Sequence, residues 1–463
     1  MSIKEKLKIK RNKILVGIII SFCTLLVIYF GIAIYYMNHF YYGSQINNIN
    51  VSGKTVQEAN GLLASELSSY TMNLKLRGGK NEQIRASDIG LKYTSDGEVL
   101  DFKDRQNAFK WISAFFSAKN SKMTEEVSYD KKLLKERLYK SSFFDSKNII
   151  EPKNPTFEYT DKGYVIVPEV LGNKVNEDIL YNYVSSAILK DETTTDLEAI
   201  KCYVNPQYTS NSQKIIDVKN MLNKYALSKI TYTFGSNKEV LDGSTINKWL
   251  KVDDKFSVTF DEGKVKTYVS TLSSNYNTVG KARSFKTTSG QTINVNGGDY
   301  GWSINTAKET EALIKSIKEG QIITKEPTYS QTALSHESGD IGNSYVEIDM
   351  GRQHLWFYKN GTLIAEGNVV TGNIRDHATP AGVFKLKYKE KNATLKGPGY
   401  EAPVTYWMPF NNGIGMHDAS WRGEFGGNIY KSNGSHGCVN QPINLAKTIF
   451  DNIQVGTPVV CFY

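Results

Sequence analysis

Ser435, His436, Gly437 and Cys438 stand in a row near the end of a 463-residue chain that has only four cysteines and six histidines. A further histidine, His417, lies 21 residues before Cys438. These types suit acyl transfer through a thiol. A nucleophilic sulfur needs a base to make thiolate, a third group to orient the base, and donors for the oxyanion. A free Cys, with pKa ~8.5, is mostly protonated near neutral pH, and an adjacent imidazole lowers that value. His436 shares a face with Cys438 if the stretch is a strand, and His417 comes alongside if the chain folds back. Gly437 leaves room for a carbonyl to approach and for backbone N–H groups to aim at it. Three rival readings stand beside this one. Cys438 as a buried structural thiol is the commonest fate of a single cysteine. A zinc site from His417, His436 and Cys438 would lack any accompanying C-x-x-C or H-E-x-x-H. A papain-like arrangement would put its Cys early and its His far downstream, the reverse of the order here.

Such a cluster must be held by rigid elements. From Ser344 the chain alternates apolar and polar residues, and HLWFYKNGTLIAEG contains an Asn360-Gly361 turn, which predicts two antiparallel strands. Further short strands are expected around 382–389, 403–408, 437–440 and 457–462, with one helix from LAKTIFDNI at 445–453. The region 344–463 therefore reads as a mostly β domain, sandwich- or barrel-like, with one or two helices. The Gly- and aromatic-rich stretch from Lys396 to Ser435 reads as a long irregular loop, and such loops are usually functional.

Upstream the texture is α+β. FEYTDKGYVIVPEVLGNKVNEDILYNYVSSAILKD (157–191) aligns with FKTTSGQTINVNGGDYGWSINTAKETEALIKSIKEG (285–320), each a turn, an alternating strand, a glycine and an amphipathic helix. Two copies of one domain, 44–200 and 212–324, are the economical reading; chance likeness of two strand–helix units is the alternative. The repeats carry no clustered ligand residues and read as spacer or binding modules. Thr55 and Glu58 form a capping-box pair ahead of a helix. Residues 325–343, poor in apolar types, read as a linker.

The N-terminus is different again. Ile14 to Met37 contains no charged residue, long enough for the ~20 apolar residues that cross a bilayer at ~1.5 Å each. Residues 1–13 hold six basic residues against Glu5, so five of the nine excess positive charges precede this run. That bias predicts a cytoplasmic tail, a transmembrane helix over 14–37, and everything beyond it outside the cell. A cleaved signal would have an apolar core of ~7–15 residues and an A-x-A-like site, and neither is present. The remaining charge excess is too small to predict nucleic-acid binding. Cys202, Cys438 and Cys461 are then extracellular and odd in number, leaving at least one free thiol.

The stretch 344–463 resembles the L,D-transpeptidase catalytic domain, also called the YkuD-type domain. It carries His417 followed by Ser435-His436-Gly437-Cys438-Val439-Asn440, and, upstream, Thr371-Gly372 and Thr379-Pro380-Ala381-Gly382-Val383-Phe384. Asn440 stands where many members carry Arg, and Asp418 where many carry Gly. The repeats resemble the peptidoglycan-binding modules of Gram-positive, membrane-anchored members. The resemblance implies a cell-wall enzyme without metal or other cofactor, whose partners are peptidoglycan stem peptides. Cys438 would attack the carbonyl between the third stem residue and D-Ala. His417 would take the thiol proton and later protonate the leaving amine, and Ser435 would orient the imidazole. His436, Gly437 and Cys438 would line the oxyanion site. A neighbouring stem's side-chain amine would resolve the thioester, giving a 3→3 cross-link. Water or another protein as acceptor, or a non-catalytic wall-binding scaffold, are the alternatives. For substrate binding we expect Tyr406, Trp407, Met408, Phe410 and Trp421 to wall the cleft beside Asn440, and Arg422 to meet a stem carboxylate. Cys461 is expected to be a buried thiol.

Overall fold

The computed structural model describes residues 3–94, 97–116, 120–121, 127–397 and 399–463; residues 1 and 2 of the basic tail and residue 398 of the long loop lie outside it. The chain divides into two compact units, residues 1–156 with 168–209, and residues 157–167 with 210–463.

The first unit opens with one helix, α1 (Ile3–Asn38), whose apolar window is long enough to cross a membrane and is not buried by protein. α2 (Val56–Ser68) starts at the Thr55–Glu58 capping box read from the sequence. β1 (Thr71–Lys75) and β2 (Asn81–Arg85) pair antiparallel. α3 (Lys131–Tyr139) follows. The hairpin β3 (Thr156–Thr160) and β4 (Gly163–Val167) belongs almost wholly to the second unit. α4 (Glu177–Leu189) and β5 (Thr194–Asp196) then complete a three-stranded sheet, β5 lying parallel to β1. Met72, Leu74, Ile84, Leu134, Leu180 and Val184 fill its core.

The second unit repeats that pattern. After α5 (Gln213–Ala226), β6 (Lys229–Phe234) pairs antiparallel with β7 (Asn237–Leu241). α6 (Glu262–Tyr276), the hairpin β8 (Arg283–Lys286) and β9 (Thr292–Val295), and α7 (Thr306–Glu319) lead to β10 (Ile322–Lys325), parallel to β6. The same strand order in both sheets gives the aligned sequences one topology. The stretch 325–343 is folded rather than free. Tyr329–Gln331 pairs with Ser303–Ile304. Thr328 donates its N–H and hydroxyl to the buried Glu309 carboxylate, which also accepts from Tyr232. Asp340 pairs with buried Arg283. Composition misleads here because polar residues that pair in the interior look like linker residues.

The C-terminal part has two sheets. β11 (Tyr345–Asp349), β12 (His354–Lys359) and β13 (Thr362–Asn368) form a meander, with the expected turn at Asn360 and Gly361, both at positive φ. β14 (Gly382–Lys385) follows, and the first sheet runs β13-β12-β11-β19-β14, with β19 (Pro458–Phe462) parallel to β11. The second sheet is β15 (Glu390–Gly397), β16 (Tyr400–Asn411), β17 (Ile414–Asp418) and β18 (Val439–Gln441) in order, β18 parallel to β17. α8 (Ile443–Asn452) joins residues of both sheets in one core with Ile348, Phe357, Met408, Phe410, Val439 and Ile449. The first half of the irregular loop expected from Lys396 to Ser435 is thus mostly strand, ending at Asp418. Tyr406, Met408 and Phe410 alternate as a strand requires, a pattern masked by the nearby glycines and prolines.

Candidate active site

Strand pairing brings the reactive residues together. In the parallel ladder His417 on β17 lies beside Asn440 on β18, and Cys438 ends the turn just before β18. His417, Ser435, His436, Cys438 and Asn440 line one cavity of about 480 Å³, with Trp421 and Arg422 on its rim and Pro403 of the β15–β16 hairpin above.

The turn carrying Cys438 is a bend, the strand expected around 437–440 beginning one residue later at Val439, and the turn's hydrogen bonds explain its shape. Gly437 has φ 110°, a conformation only glycine adopts readily. Its N–H donates to Ser435 Oγ at 3.1 Å, and Ser435 Oγ donates to the Cys438 carbonyl at 2.5 Å. The Gly437 carbonyl accepts from Thr379 Oγ1 at 2.7 Å, and that hydroxyl accepts from Gly372 N–H at 2.9 Å. Backbone bonds from Ser435 to Thr371 and from Asn373 to Ser435 complete the clamp, while Gln353 holds Thr371. Thr371-Gly372 and Thr379-Pro380 are therefore the braces of the thiol turn, a task their sequence spacing does not reveal. A Cβ on Gly372 would stand 2.0 Å from the His377 carbonyl oxygen and 2.8 Å from Gly437 Cα. Gly372→Ala is expected to lower stability by about 1–3 kcal/mol or more and to remove activity with the turn; thermal unfolding and product assays check both.

The imidazole of His417 is buried. Nδ1 lies 2.8 Å from the Asp418 carbonyl oxygen, so Nδ1 carries a proton and donates. Nε2 lies 3.0 Å from Asn440 Nδ2. The Asn440 amide is itself fixed, because Arg422 Nε donates to its Oδ1 at 2.8 Å and Arg422 also donates to the Asn433 carbonyl. Asn440 must then present its NH2 to Nε2, which leaves that nitrogen unprotonated. One tautomer of neutral imidazole follows from the network. Burial holds the His417 pKa below its ordinary value, the Asp418 carbonyl acting against the trend.

Ser435, expected to orient this imidazole, bonds within the thiol turn, and the Asp418 carbonyl holds the ring instead. The Gly437 N–H, expected at the oxyanion site, is taken by Ser435. The Cys438 thiol is not depressed by an imidazole. Its Sγ lies 3.7 Å from the Gly413 carbonyl oxygen, and burial pushes its pKa up to about 11 against a backbone hydrogen bond from Gly415. His436 is exposed, its ring edge-on to His377 at 4.8 Å between centroids. Alkylation of Cys438 by iodoacetamide is therefore expected to be slow at pH 7 and to climb through pH 8–10 without a plateau; peptide mass spectrometry reads the rate. A plateau below pH 7 would reveal a preformed thiolate.

The aromatic residues divide by strand alternation. Trp407, expected on the cleft wall, is buried behind the site and does not line the cavity; its ring lies 5.8 Å from that of His417 and its body packs in a small apolar cluster with Cys438, Ala393 and Val404. Trp421, half exposed, lies 5.9 Å from the imidazole. Tyr406, Met408 and Phe410, expected on the cleft wall, point the other way into the core between the sheets. Cys461 is fully buried, and all four cysteines are free. Among the described residues no group of three metal-ligating side chains occurs.

A family profile described as "YkuD: L,D-transpeptidase catalytic domain" matches residues 343–461, and "Putative peptidoglycan binding domain" matches residues 82–196 and 208–323. Among solved structures, a cysteine-to-serine mutant of an Enterococcus faecium L,D-transpeptidase is 38% identical, covering 54% of this chain and 100% of that one, at TM-score 0.46. The avibactam carbamoyl form of the enzyme Ldtfm is 38% identical over 54% of this chain and 99% of its own, at TM-score 0.47. The catalytic domain of the E. faecium enzyme, solved by NMR, is 45% identical over 26% of this chain and 97% of its own, at TM-score 0.25. No curated protein sequence matches the chain. The catalytic-domain match, with sequence identity running the full length of the first of these relatives, places the chain in the L,D-transpeptidase family.

Proposed function

We propose that this protein is a peptidoglycan L,D-transpeptidase in which Cys438 is the nucleophile and His417 the base, forming 3→3 cross-links between stem peptides. The observation that carries the reading is the convergence of Cys438, His417 and the Asn440–Arg422 pair on one cavity. With the thiol pKa raised and the imidazole pKa lowered, the site holds neutral thiol and neutral imidazole before substrate arrives. Nε2 is the ring's basic nitrogen, and the Asn440 amide covers it, so proton transfer from Sγ requires the amide or the thiol to shift as substrate enters. The thiolate then adds to the carbonyl that precedes D-Ala. His417, now protonated at Nε2, returns that proton to the departing D-Ala amine, and the acyl group remains as a thioester on Cys438. A side-chain amine of a second stem attacks the thioester, loses its proton to His417, and releases the thiol. Trp407 and Trp421 flank the imidazole and limit water, which favours amine over water as acceptor. Arg422, expected to meet a stem carboxylate, serves first to hold Asn440.

The α1 helix fits a single membrane span with the basic tail inside the cell, and the repeats 82–196 and 208–323 fit attachment to wall polymer outside it. Incubating the full chain with disaccharide-tetrapeptide tests the reading: dimer with loss of D-Ala supports it, and D-Ala release without dimer would make the protein an L,D-carboxypeptidase.

A further inference from the structure

α1 is covered by protein along one short stripe only. Tyr29, Ile32, Ala33 and Tyr36 are partly or fully shielded, while the rest of the span is exposed. Their spacing of three and four residues marks one face of the helix. What shields them is a nine-residue 3-10 segment, Ala108–Phe116 (AFKWISAFF), of the same unit. Trp111 stacks on Tyr36 and lies against Tyr29, Phe109 meets Phe30, and Trp111 Nε1 donates to the Tyr29 carbonyl. Ile112 and Phe116 of the segment are exposed, Phe116 with 85% of its surface accessible, and Phe109 and Phe115 remain about half exposed beside their ring contacts to Phe30 and to Tyr42.

The position along the helix decides what covers these side chains. Tyr29 lies eight residues before Met37, the end of the apolar run, a distance of ~12 Å along the axis. A segment bonded to Tyr29 and Tyr36 therefore runs beside the last two turns of the span, within one leaflet and not above it. We propose that residues 108–116 form a second membrane contact, an aromatic wedge seated at the headgroup–acyl boundary of the outer leaflet beside α1. The occupant of the exposed face is lipid. This rests on the reading of α1 as a membrane span.

The polar groups of the segment agree with that location. Backbone at membrane depth persists only where its donors and acceptors are satisfied. Here the Tyr29 hydroxyl donates to the Phe109 carbonyl and the Tyr41 hydroxyl to the Asn107 carbonyl. Ser113 Oγ donates to the Lys110 carbonyl, and Asn107 accepts from Phe109 N–H through its side chain and from Lys110 N–H through its carbonyl. Aromatic rings with one polar edge are the types that settle at this boundary. Lys110, exposed, has the reach to place its ammonium among lipid phosphates.

The test places a photo-crosslinking diazirine side chain in turn at Phe109, Ile112 and Phe116 of the full chain, reconstituted in phosphatidylglycerol vesicles. Val27 in the span and Tyr139, exposed elsewhere in the same unit, serve as positive and negative controls. Lipid adducts at 109, 112, 116 and 27 but not at 139 are expected by mass spectrometry. Lipid adducts at 27 with none at 109, 112 and 116 would overturn the wedge while sparing the span. Protein–protein adducts at 116 would assign the face to a second chain and overturn it also. No lipid adduct at 27 would remove the span and the wedge together.

Discussion

Cys438→Ala is expected to abolish both the acyl-enzyme and the cross-linked dimer, a loss on the order of 10⁴-fold or more, the scale for removing a nucleophile that works as a unit with its base. The fold should survive, because Cys438 sits at the cavity and contributes only to the small cluster with Trp407, Ala393 and Val404. An unchanged thermal transition with a silent product assay is the expected pair of results. Cys461 cannot substitute for it. That thiol lies wholly inside the core between the sheets, and burial raises its pKa far above the ordinary thiol range. Incubation with a carbapenem offers an independent readout, because its strained β-lactam carbonyl acylates a competent thiol nucleophile. Intact mass of the wild-type chain should gain one adduct, mapped to Cys438, and the alanine variant should gain none.

The second large effect concerns the base. His417→Gln should lower kcat/KM by roughly 10²–10⁴-fold, the range for a positioned general base. The glutamine retains a polar tip for the Asp418 carbonyl and so separates chemistry from folding. The pH dependence has a definite sign. The imidazole must be neutral to accept the thiol proton, and burial lowers its pKa from the ordinary value of 6.5. The acidic limb of kcat/KM should therefore fall below pH 6.5, with activity held constant from that limb to pH 7. In Asn440→Ala the donor facing Nε2 is lost and water gains access, so the limb should move toward higher pH. An unmoved limb would mean that the Asn440 amide does not govern the protonation of His417.

Much of this site can be read from the chain alone. His417 and Cys438 are of types rare in this chain, and nothing in ordinary packing demands them together with Ser435. The hairpin at Asn360-Gly361 is equally plain, since a two-residue turn with positive φ leaves a strong local mark. What the sequence hides are contacts made through backbone atoms or across long separations. The Asp418 carbonyl that holds His417 has no side-chain signature. Thr379, the brace of Gly437, lies 58 residues before it. Tyr406, Met408 and Phe410 mislead because an aromatic-rich stretch looks like a cleft wall until its strand alternation assigns each side chain to a face. The environment of the sulfur is hidden for a related reason. An adjacent imidazole lowers a thiol pKa only when they interact, and here Sγ points to the Gly413 carbonyl while desolvation dominates.

The same physics explains the polar stretch 325–343. Glu309 and Arg283 are buried, and each gathers partners from that segment, so its polar residues are structural rather than solvating. Removing one member of such a set strands the others in the interior, which is costly.

The most direct measurement is mass spectrometry of the full chain after brief incubation with disaccharide-tetrapeptide. The expected result is a tripeptide thioester on the Cys438 peptide, with free D-Ala released and a dimer joined through the third residues accumulating afterward. A dimer that forms with no adduct on Cys438, or that forms equally well in Cys438→Ala, would contradict the account.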